Sequence, residues 1–204
     1  MSPIPVHLAV EDDLSELVIR RLLLDTGRDY SVGGVFGRGG FGYLKSRARN
    51  WNAAAAAGKS ILLLTDLDHH PCPPGLIEEW LDAEPHTNLI FRVAVREVES
   101  WLLADRDGLA DFLGIGVAVM PSQPDQIPDP KQSLVNLARR SRRRTLRESI
   151  VPRDGSTAVQ GPDYNGCLGD FVRGHWNRNA ALGGSPSLEG AWSRLMVFEP
   201  TWAA

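Results

Sequence analysis

The sequence predicts an α/β fold in which a central parallel sheet of about four strands is flanked by helices. In the first half of the chain, short apolar runs alternate with segments whose apolar residues recur at helical spacing, which is typical of a parallel sheet covered by helices. The run Leu62-Leu63-Leu64 is continuously apolar, as in strands that are buried on both faces. The 204 residues suffice for one well-filled core, so we expect one principal domain.

The elements of the first half follow in order from these patterns. Residues 6–10 form the first predicted strand, and residues 14–24 follow as a helix with Asp12 or Asp13 as its N-cap. The glycines between positions 33 and 42 are expected to interrupt regular structure before the second helix. The remaining predicted elements are a strand at 30–36, a helix at 43–57, a strand at 60–66, a helix at 76–81, a strand at 89–95 and a helix at 97–113.

The second half has a different composition and predicts less regular structure. Four prolines between positions 121 and 130 indicate a linker or surface loop. A basic helix is predicted at 132–147, and the remainder, rich in glycine and proline, is expected to be irregular with short helices near 168–173 and 188–196. The predicted organisation is an α/β domain at 1–115, a linker or loop at 116–130, and a basic helical and irregular extension at 131–204 that packs on the first domain.

Composition limits the compartment and the class of partner. No apolar run approaches the roughly 20 residues that span a bilayer, so no membrane partner is expected. The first residues lack the basic and apolar pattern of a signal peptide, and Cys72 and Cys167 are too few for a disulfide framework. We therefore expect a cytoplasmic protein with reduced thiols.

The net charge of −3 hides a basic segment between residues 131 and 153, in which Glu148 is the only acidic residue. Such a segment favours a polyanion, and we predict nucleic acid as the partner, with DNA favoured over RNA. A solvated helix face, or arginines paired to acids elsewhere in the fold, are the alternatives. The residues predicted to bind nucleic acid are Arg38, Lys45, Arg139, Arg140, Arg142, Arg143, Arg144 and Arg147.

Acidic residues follow three of the four predicted strands. Glu11 follows the first strand, Asp66 and Asp68 end the third, and Glu97 and Glu99 follow the fourth. Residues two apart in an extended segment point to one side, and the ends of neighbouring parallel strands meet at one crevice. Clustered carboxylates favour a hard divalent ion, so we predict that these residues bind Mg²⁺ or Mn²⁺ for phosphoryl transfer.

Local roles compete with metal binding for some acidic residues. Asp12, Asp13 and Glu16 are better explained as residues that cap the first helix or lie in its first turn. For Glu99, an exposed helix face is the alternative. A zinc site at the His-His-Pro-Cys segment 69–72 matches no standard ligand spacing.

The order of these motifs resembles the Toprim (topoisomerase-primase) superfamily, whose motifs are a glutamate at a strand end and an Asp-x-Asp. Over residues 5–113, Glu11 and the segment Asp66-Leu67-Asp68 match those motifs. The segment 96–105 is similar to small, stand-alone bacterial Toprim-like proteins, and through them to the Toprim half of the overcoming-lysogenization-defect (OLD) nucleases. The chain departs from many Toprim proteins by having Asp12, where they place glycine.

The resemblance implies roles for particular residues and partners. It implies that a separate ATPase partner exists and that the protein acts in bacterial defence against phage. It also implies that Glu97 or Glu99 serves a second metal ion, and that Lys131 stabilises charge on the transferring phosphate. The implied catalytic set is Glu11, Asp66, Asp68, Glu97, Glu99 and Lys131.

The sequence as a whole predicts a metal-dependent nuclease with Mg²⁺ or Mn²⁺ as cofactor. The main alternative is a catalytically silent nucleic-acid-binding or regulatory subunit that works through a partner. A third is a phosphohydrolase acting on a small nucleotide. A homodimer stays open, because no motif in the sequence bears on oligomeric state.

Overall fold

The computed structural model of the protein describes residues 3–37 and 39–202. The chain divides into two compact units, Met1–Val95 with Gly190–Ala204, and Arg96–Glu189. This boundary follows Val95, whereas the sequence predicts one at residue 115. In the described part of the chain, no helix is long and apolar enough to cross a membrane.

The first unit is a parallel sheet with helices against it. Its described strands pair in the order β2-β1-β3-β4, all parallel, so the predicted α/β fold is confirmed and is Rossmann-like. Because β1 and β3 are neighbours, their carboxyl ends lie side by side. The elements are β1 (Ile4–Val10), α1 (Asp13–Asp25), β2 (Tyr30–Gly37), α2 (Gly40–Ala56), β3 (Ile61–Asp66), α3 (Pro73–Leu81) and β4 (Leu89–Ala94).

The continuous apolar run of β3 is explained by burial on both faces of the sheet. Leu63 belongs to a core with α2 and α3, where it meets Trp51 and Trp80. Leu62 and Leu64 point to the opposite face and are also fully buried. Burial of each such side chain stabilises the fold by about 1.5–3 kcal/mol, so this strand anchors the residues at its end.

Most described glycines of the glycine-rich segment lie within β2 or α2, so the prediction that they interrupt regular structure is wrong for them. In β2, Gly34 donates its N–H to Nδ1 of His7 at 2.9 Å, and a Cβ on Gly33 would lie 2.9 Å from the same ring. Gly37 ends β2 with φ +124, and a Cβ there would lie 1.9 Å from the carbonyl oxygen of Val10. These glycines allow close packing against β1 rather than chain breaks.

The second unit is built from helices and connecting turns, and helices occur at both positions near 168–173 and 188–196 where the sequence predicts short ones. Trp176 and Phe171 are almost fully buried within it, which gives this part a core of its own. Within this unit α4 packs against α6 and α9, which explains why α4 and α5 group with the later helices. The elements are α4 (Val98–Leu103), α5 (Arg106–Leu113), α6 (Pro130–Arg139), α7 (Arg144–Ile150), α8 (Tyr164–Gly174), α9 (Arg178–Leu182) and α10 (Pro186–Val197, assigned to the first unit from Gly190), with 3₁₀ turns at Val117–Val119 and Pro124–Gln126.

Two helices that the sequence predicts as continuous are each divided. The helix predicted at 97–113 breaks at Asp105, whose carboxylate accepts hydrogen bonds from the N–H groups of Gly108 and Asn177 at 3.1 and 2.7 Å. The basic helix predicted at 132–147 breaks at Ser141, whose hydroxyl donates to the carbonyl of Leu113 and accepts from the N–H of Arg143. In both cases a buried polar side chain stabilises the turn.

Candidate functional site

The carboxyl ends of β1 and β3 bring Glu11 against the end of the neighbouring strand. Its Oε1 accepts hydrogen bonds from the Thr65 hydroxyl and from the backbone N–H of Asp66, the latter at 2.9 Å. The adjacency that the sequence predicts for Glu11 and Asp66 is therefore observed. Two donors on one oxygen hold this carboxylate in a fixed orientation.

Asp68 lies in a turn beyond the end of β3. The strand ends at Asp66, and the N–H of His70 donates to the carbonyl of Leu67 at 2.9 Å, which closes the turn. Asp68 has φ +47, in the left-handed region. The prediction that Asp66 and Asp68 follow one extended segment is therefore wrong. Aspartate is among the residues that tolerate this region, at a cost of about 1–3 kcal/mol.

The electrostatics of Glu11 reflect burial and neighbouring acids. Burial raises the pKa of Glu11 above its usual value, and the charges of Asp68 and Asp12 raise it further. The hydrogen bonds from Thr65 and Asp66 lower the same pKa, since they favour the charged form. A cation close to Glu11 would oppose the effect of both neighbouring carboxylates.

The donor chemistry at this edge fits magnesium or manganese, although the described residues do not form a complete cage. Among them, no group of three or more His, Cys, Asp or Glu side chains is arranged to hold a metal ion. Mg²⁺ commonly binds through one or two carboxylates and keeps several waters. The carboxylate of Glu11, oriented by the backbone N–H of Asp66 and close enough to Asp68 for its charge to be felt, is of the kind that such an ion binds.

The second unit joins the other predicted acidic residues to Lys131. The backbone N–H of Lys131 donates to Oε2 of Glu97 at 2.8 Å, and its Nζ lies 3.6 Å from Oε1 of Glu99. The hydroxyl of Tyr164 donates to the same Glu99 oxygen at 3.0 Å. Glu99 is 2% exposed, so the alternative of an exposed helix face is wrong. Lys131 is therefore already bound to carboxylates.

Two residues of these clusters have no signal in the sequence. Thr65 looks like an ordinary strand residue, and only the pairing of β3 with β1 brings its hydroxyl to Glu11. Tyr164 lies 65 positions from Glu99 along the chain. Contacts at such separations depend on tertiary packing, which spacing along the chain does not encode.

The local roles predicted for the acidic residues around α1 are confirmed, since Asp12 is the N-cap residue and Asp13 and Glu16 lie in the first turn. Asp12 has an extended backbone and accepts a hydrogen bond from the N–H of Ser15 at 2.8 Å, which caps the helix. Glu16 pairs with Arg20 at 2.8 Å one turn later. Because the Asp12 carboxylate caps α1, its presence in place of glycine has a structural explanation.

The residues predicted to bind nucleic acid differ in their surroundings. Arg38 lies outside the described residues. Lys45 is exposed and forms an ion pair with Glu79. Arg144 pairs with Glu148 at 2.7 Å on the surface, and Arg147 donates from a terminal guanidinium nitrogen to the carbonyl of Ser141 at 2.8 Å. The remaining exposed residues of the set are Arg139, Arg140, Arg142 and Arg143.

Two arginines of the basic segment lie at the N-terminus of α7, where the helix dipole disfavours positive charge. Arg143 is the N-cap residue and Arg144 begins the helix, where the positive end of the helix dipole disfavours cations. The helix dipole therefore does not favour these two arginines, although Arg144 pairs with Glu148 one turn later.

Comparisons of the chain with protein-family models, with curated proteins and with solved structures found no match in any of the three. The resemblance to the Toprim superfamily stays a prediction from the residues, and so do the ATPase partner and the role in phage defence.

Proposed function

We propose that this chain is a divalent-metal-dependent phosphodiesterase that cleaves nucleic acid. The observation that carries the proposal is the carboxylate of Glu11, held by Thr65 and by the backbone of Asp66 at adjacent strand ends. In open α/β sheets, ligands bind at the carboxyl ends of the strands. The acids of the first unit lie at that edge.

Each residue of this edge has a separate part in the proposal. Glu11 and Asp66 would hold Mg²⁺ or Mn²⁺ together with water, and Asp68 in the following turn adds negative charge near Glu11. When bound, such an ion supplies an acidified water and stabilises charge on the leaving oxygen of a phosphodiester. Thr65 orients Glu11, and a bound cation would oppose the rise in the pKa of Glu11 that burial and the neighbouring carboxylates cause.

The basic residues of the second unit support nucleic acid as the substrate class. The segment 139–144 carries five exposed arginines, and one of them, Arg144, pairs with a carboxylate. Exposed guanidinium groups bind phosphates with little dependence on base sequence. The predicted catalytic roles of Glu97, Glu99 and Lys131 stay predictions.

Cleavage assays test the proposal. Labelled plasmid, linear DNA and RNA are incubated with Mg²⁺ or Mn²⁺, and the parent is compared with Asp66→Asn/Asp68→Asn. The matched control is Asp82→Asn, because Asp82 also has a left-handed backbone but ends α3, away from the carboxyl ends of the strands. We expect metal-dependent cleavage that the double variant loses and the control keeps.

The opposite result has a definite meaning. If the parent cleaves none of the substrates while still binding nucleic acid, the catalytic proposal fails and the regulatory-subunit alternative replaces it. If the parent and the double variant cleave equally well, the cleavage takes place at another site.

A further inference from the structure

A concave surface of the second unit contains none of the acidic residues that are predicted to bind metal. We call it the arginine cavity, with a volume of about 560 Å³. It is lined by Arg139 at the end of α6, by Arg147 and Glu148 of α7, and by residues 151–154 of the following loop. Small-ligand pockets span roughly 300–1,000 Å³, so the cavity has room for a nucleotide.

Positive charge exceeds negative charge in the described lining. The side chains of Arg139 and Arg153 are exposed, and among the described residues neither forms an ion pair or a hydrogen bond. Arg147 is partly buried, and its bond to the Ser141 carbonyl holds its guanidinium in place. A fixed guanidinium and two exposed ones in one lining can bind an oxyanion through several hydrogen bonds.

The acidic residues of the lining do not cancel this charge. Oε1 of Glu148 accepts from Nε of Arg144 at 2.7 Å, and this hydrogen bond lowers the pKa of Glu148, so the carboxylate stays charged and bound. Of the acidic residues in the lining, Asp154 therefore remains to offset the positive charge of the three arginines.

We propose that the arginine cavity binds the phosphomonoester of a nucleotide, carried by the end of a nucleic-acid strand. The strand as its source rests on the proposed function, whereas the phosphomonoester follows from the cavity alone. A phosphomonoester carries a charge of about −1.5 to −2 at pH 7 and three acceptor oxygens. A phosphodiester carries one charge, so a concave set of arginines favours the monoester. Val151 and Pro152 add an apolar wall for the sugar or base.

Binding measurements in EDTA test this inference independently of cleavage. The probes are fluorescent single-stranded oligonucleotides of one sequence with a 5′-phosphate, a 3′-phosphate or hydroxyls at both ends, and dTMP serves as a competitor. We expect the parent to bind at least one of the phosphorylated strands about tenfold more tightly than the hydroxyl strand. This factor is the size expected for one additional hydrogen bond to a charged group. Displacement by dTMP should remove that preference.

A pair of double variants separates the cavity from general electrostatics. Arg139→Gln/Arg153→Gln removes two charges from the lining, whereas Arg140→Gln/Arg142→Gln removes two exposed charges from the same segment outside the lining. We expect the first to lose the preference for a phosphorylated end. The second should weaken binding to all strands alike and keep the preference. Circular dichroism and thermal unfolding check that both variants are folded.

Each other outcome overturns the inference. Equal affinity of the parent for all three strands, or no binding to any of them, contradicts a site for strand ends. Binding of dTMP without a preference among the strands assigns the cavity to free nucleotides. If both variants lose the preference equally, the preference arises from the basic segment as a whole and not from the cavity. Because no metal is present, none of these results bears on whether the chain cleaves nucleic acid.

Discussion

At the scale of single residues, one hydroxyl connects the two strand ends of the candidate site. Thr65 is 1% exposed, and its hydroxyl donates to the carboxylate of Glu11. The sequence marks Glu11 and Asp66 as strand-end acids because their position after apolar runs is visible along the chain. It does not mark Thr65, because the hydrogen bond depends on which strands are neighbours.

The substitution Thr65→Val keeps the shape of this residue and removes its donor. We expect the free energy of unfolding to fall by about 1–2 kcal/mol, since a half-buried carboxylate loses one hydrogen bond. Loss of an orienting partner also typically weakens metal affinity by about 10–100-fold. Urea unfolding and Mn²⁺ titration measure the two effects, with the exposed Thr157→Val as control. Unchanged values for Thr65→Val would contradict an orienting role.

Asp105 is a second residue whose role is structural and measurable. Asp105→Asn replaces one acceptor oxygen with a donor facing a backbone N–H, so we expect the free energy of unfolding to fall by about 1–3 kcal/mol. Burial raises the pKa of Asp105, so its folded pKa lies above that of the unfolded chain. Its contribution to stability is therefore present at low pH and is lost as the pH rises through the folded pKa.

Urea unfolding of the parent and of Asp105→Asn, measured from about pH 4 to about pH 8, checks both statements. In the variant, the free energy of unfolding should lack the pH dependence that this carboxyl supplies. The difference in the free energy of unfolding between the parent and the variant should therefore shrink as the pH rises. A difference that grows with pH would contradict the raised pKa.

At the scale of elements, the strands and α1 are predictable because apolar runs and a capping aspartate are local signals. The breaks at Asp105 and Ser141 are not predictable, because each depends on a partner far along the chain, Asn177 and Leu113. The glycine-rich segment was misleading for a similar reason. Glycines in a sequence predict a chain break, but they also occur where a neighbouring strand packs too closely for a side chain. Here residues of β1 pack that closely against the glycines of β2.

Two glycines of this segment give opposite predictions for the same substitution. Gly37→Ala should lower the free energy of unfolding by more than about 1 kcal/mol, because φ is +124 and the new Cβ would overlap the Val10 carbonyl. Gly42→Ala should raise it by about 0.4–1 kcal/mol, because Gly42 lies in α2 with open space around it. Urea unfolding compares them. Equal effects of the two substitutions would contradict the close approach of β2 to β1.

At the scale of the whole molecule, the chain divides at a place that composition does not show. Prolines and the change in charge near residue 115 suggest a boundary there, yet α4 and α5 group with the later helices through packing. The basic segment, in contrast, is visible in the sequence as charge. The sequence does not show the surroundings of each arginine, such as the hydrogen bond from Arg147 to the carbonyl of Ser141.

The basic segment makes nucleic-acid binding dependent on salt. We expect the logarithm of the affinity for single-stranded DNA to fall linearly with the logarithm of the salt concentration. Arg140→Gln/Arg142→Gln should reduce the magnitude of this slope by about 1.4, which corresponds to two phosphate contacts at about 0.7 each. Fluorescence anisotropy in EDTA measures the slope. A slope that is unchanged in the variant would mean that these arginines do not contact phosphate.

The central claim is that the strand ends of the first unit hold a divalent metal. The most direct measurement is calorimetric titration of Mn²⁺ into the parent, Glu11→Gln, Asp66→Asn and the control Asp82→Asn. We predict saturable binding by the parent and the control, with affinity at least about tenfold weaker in Glu11→Gln and Asp66→Asn. No saturable binding by the parent, or equal affinity in all four proteins, would contradict the claim.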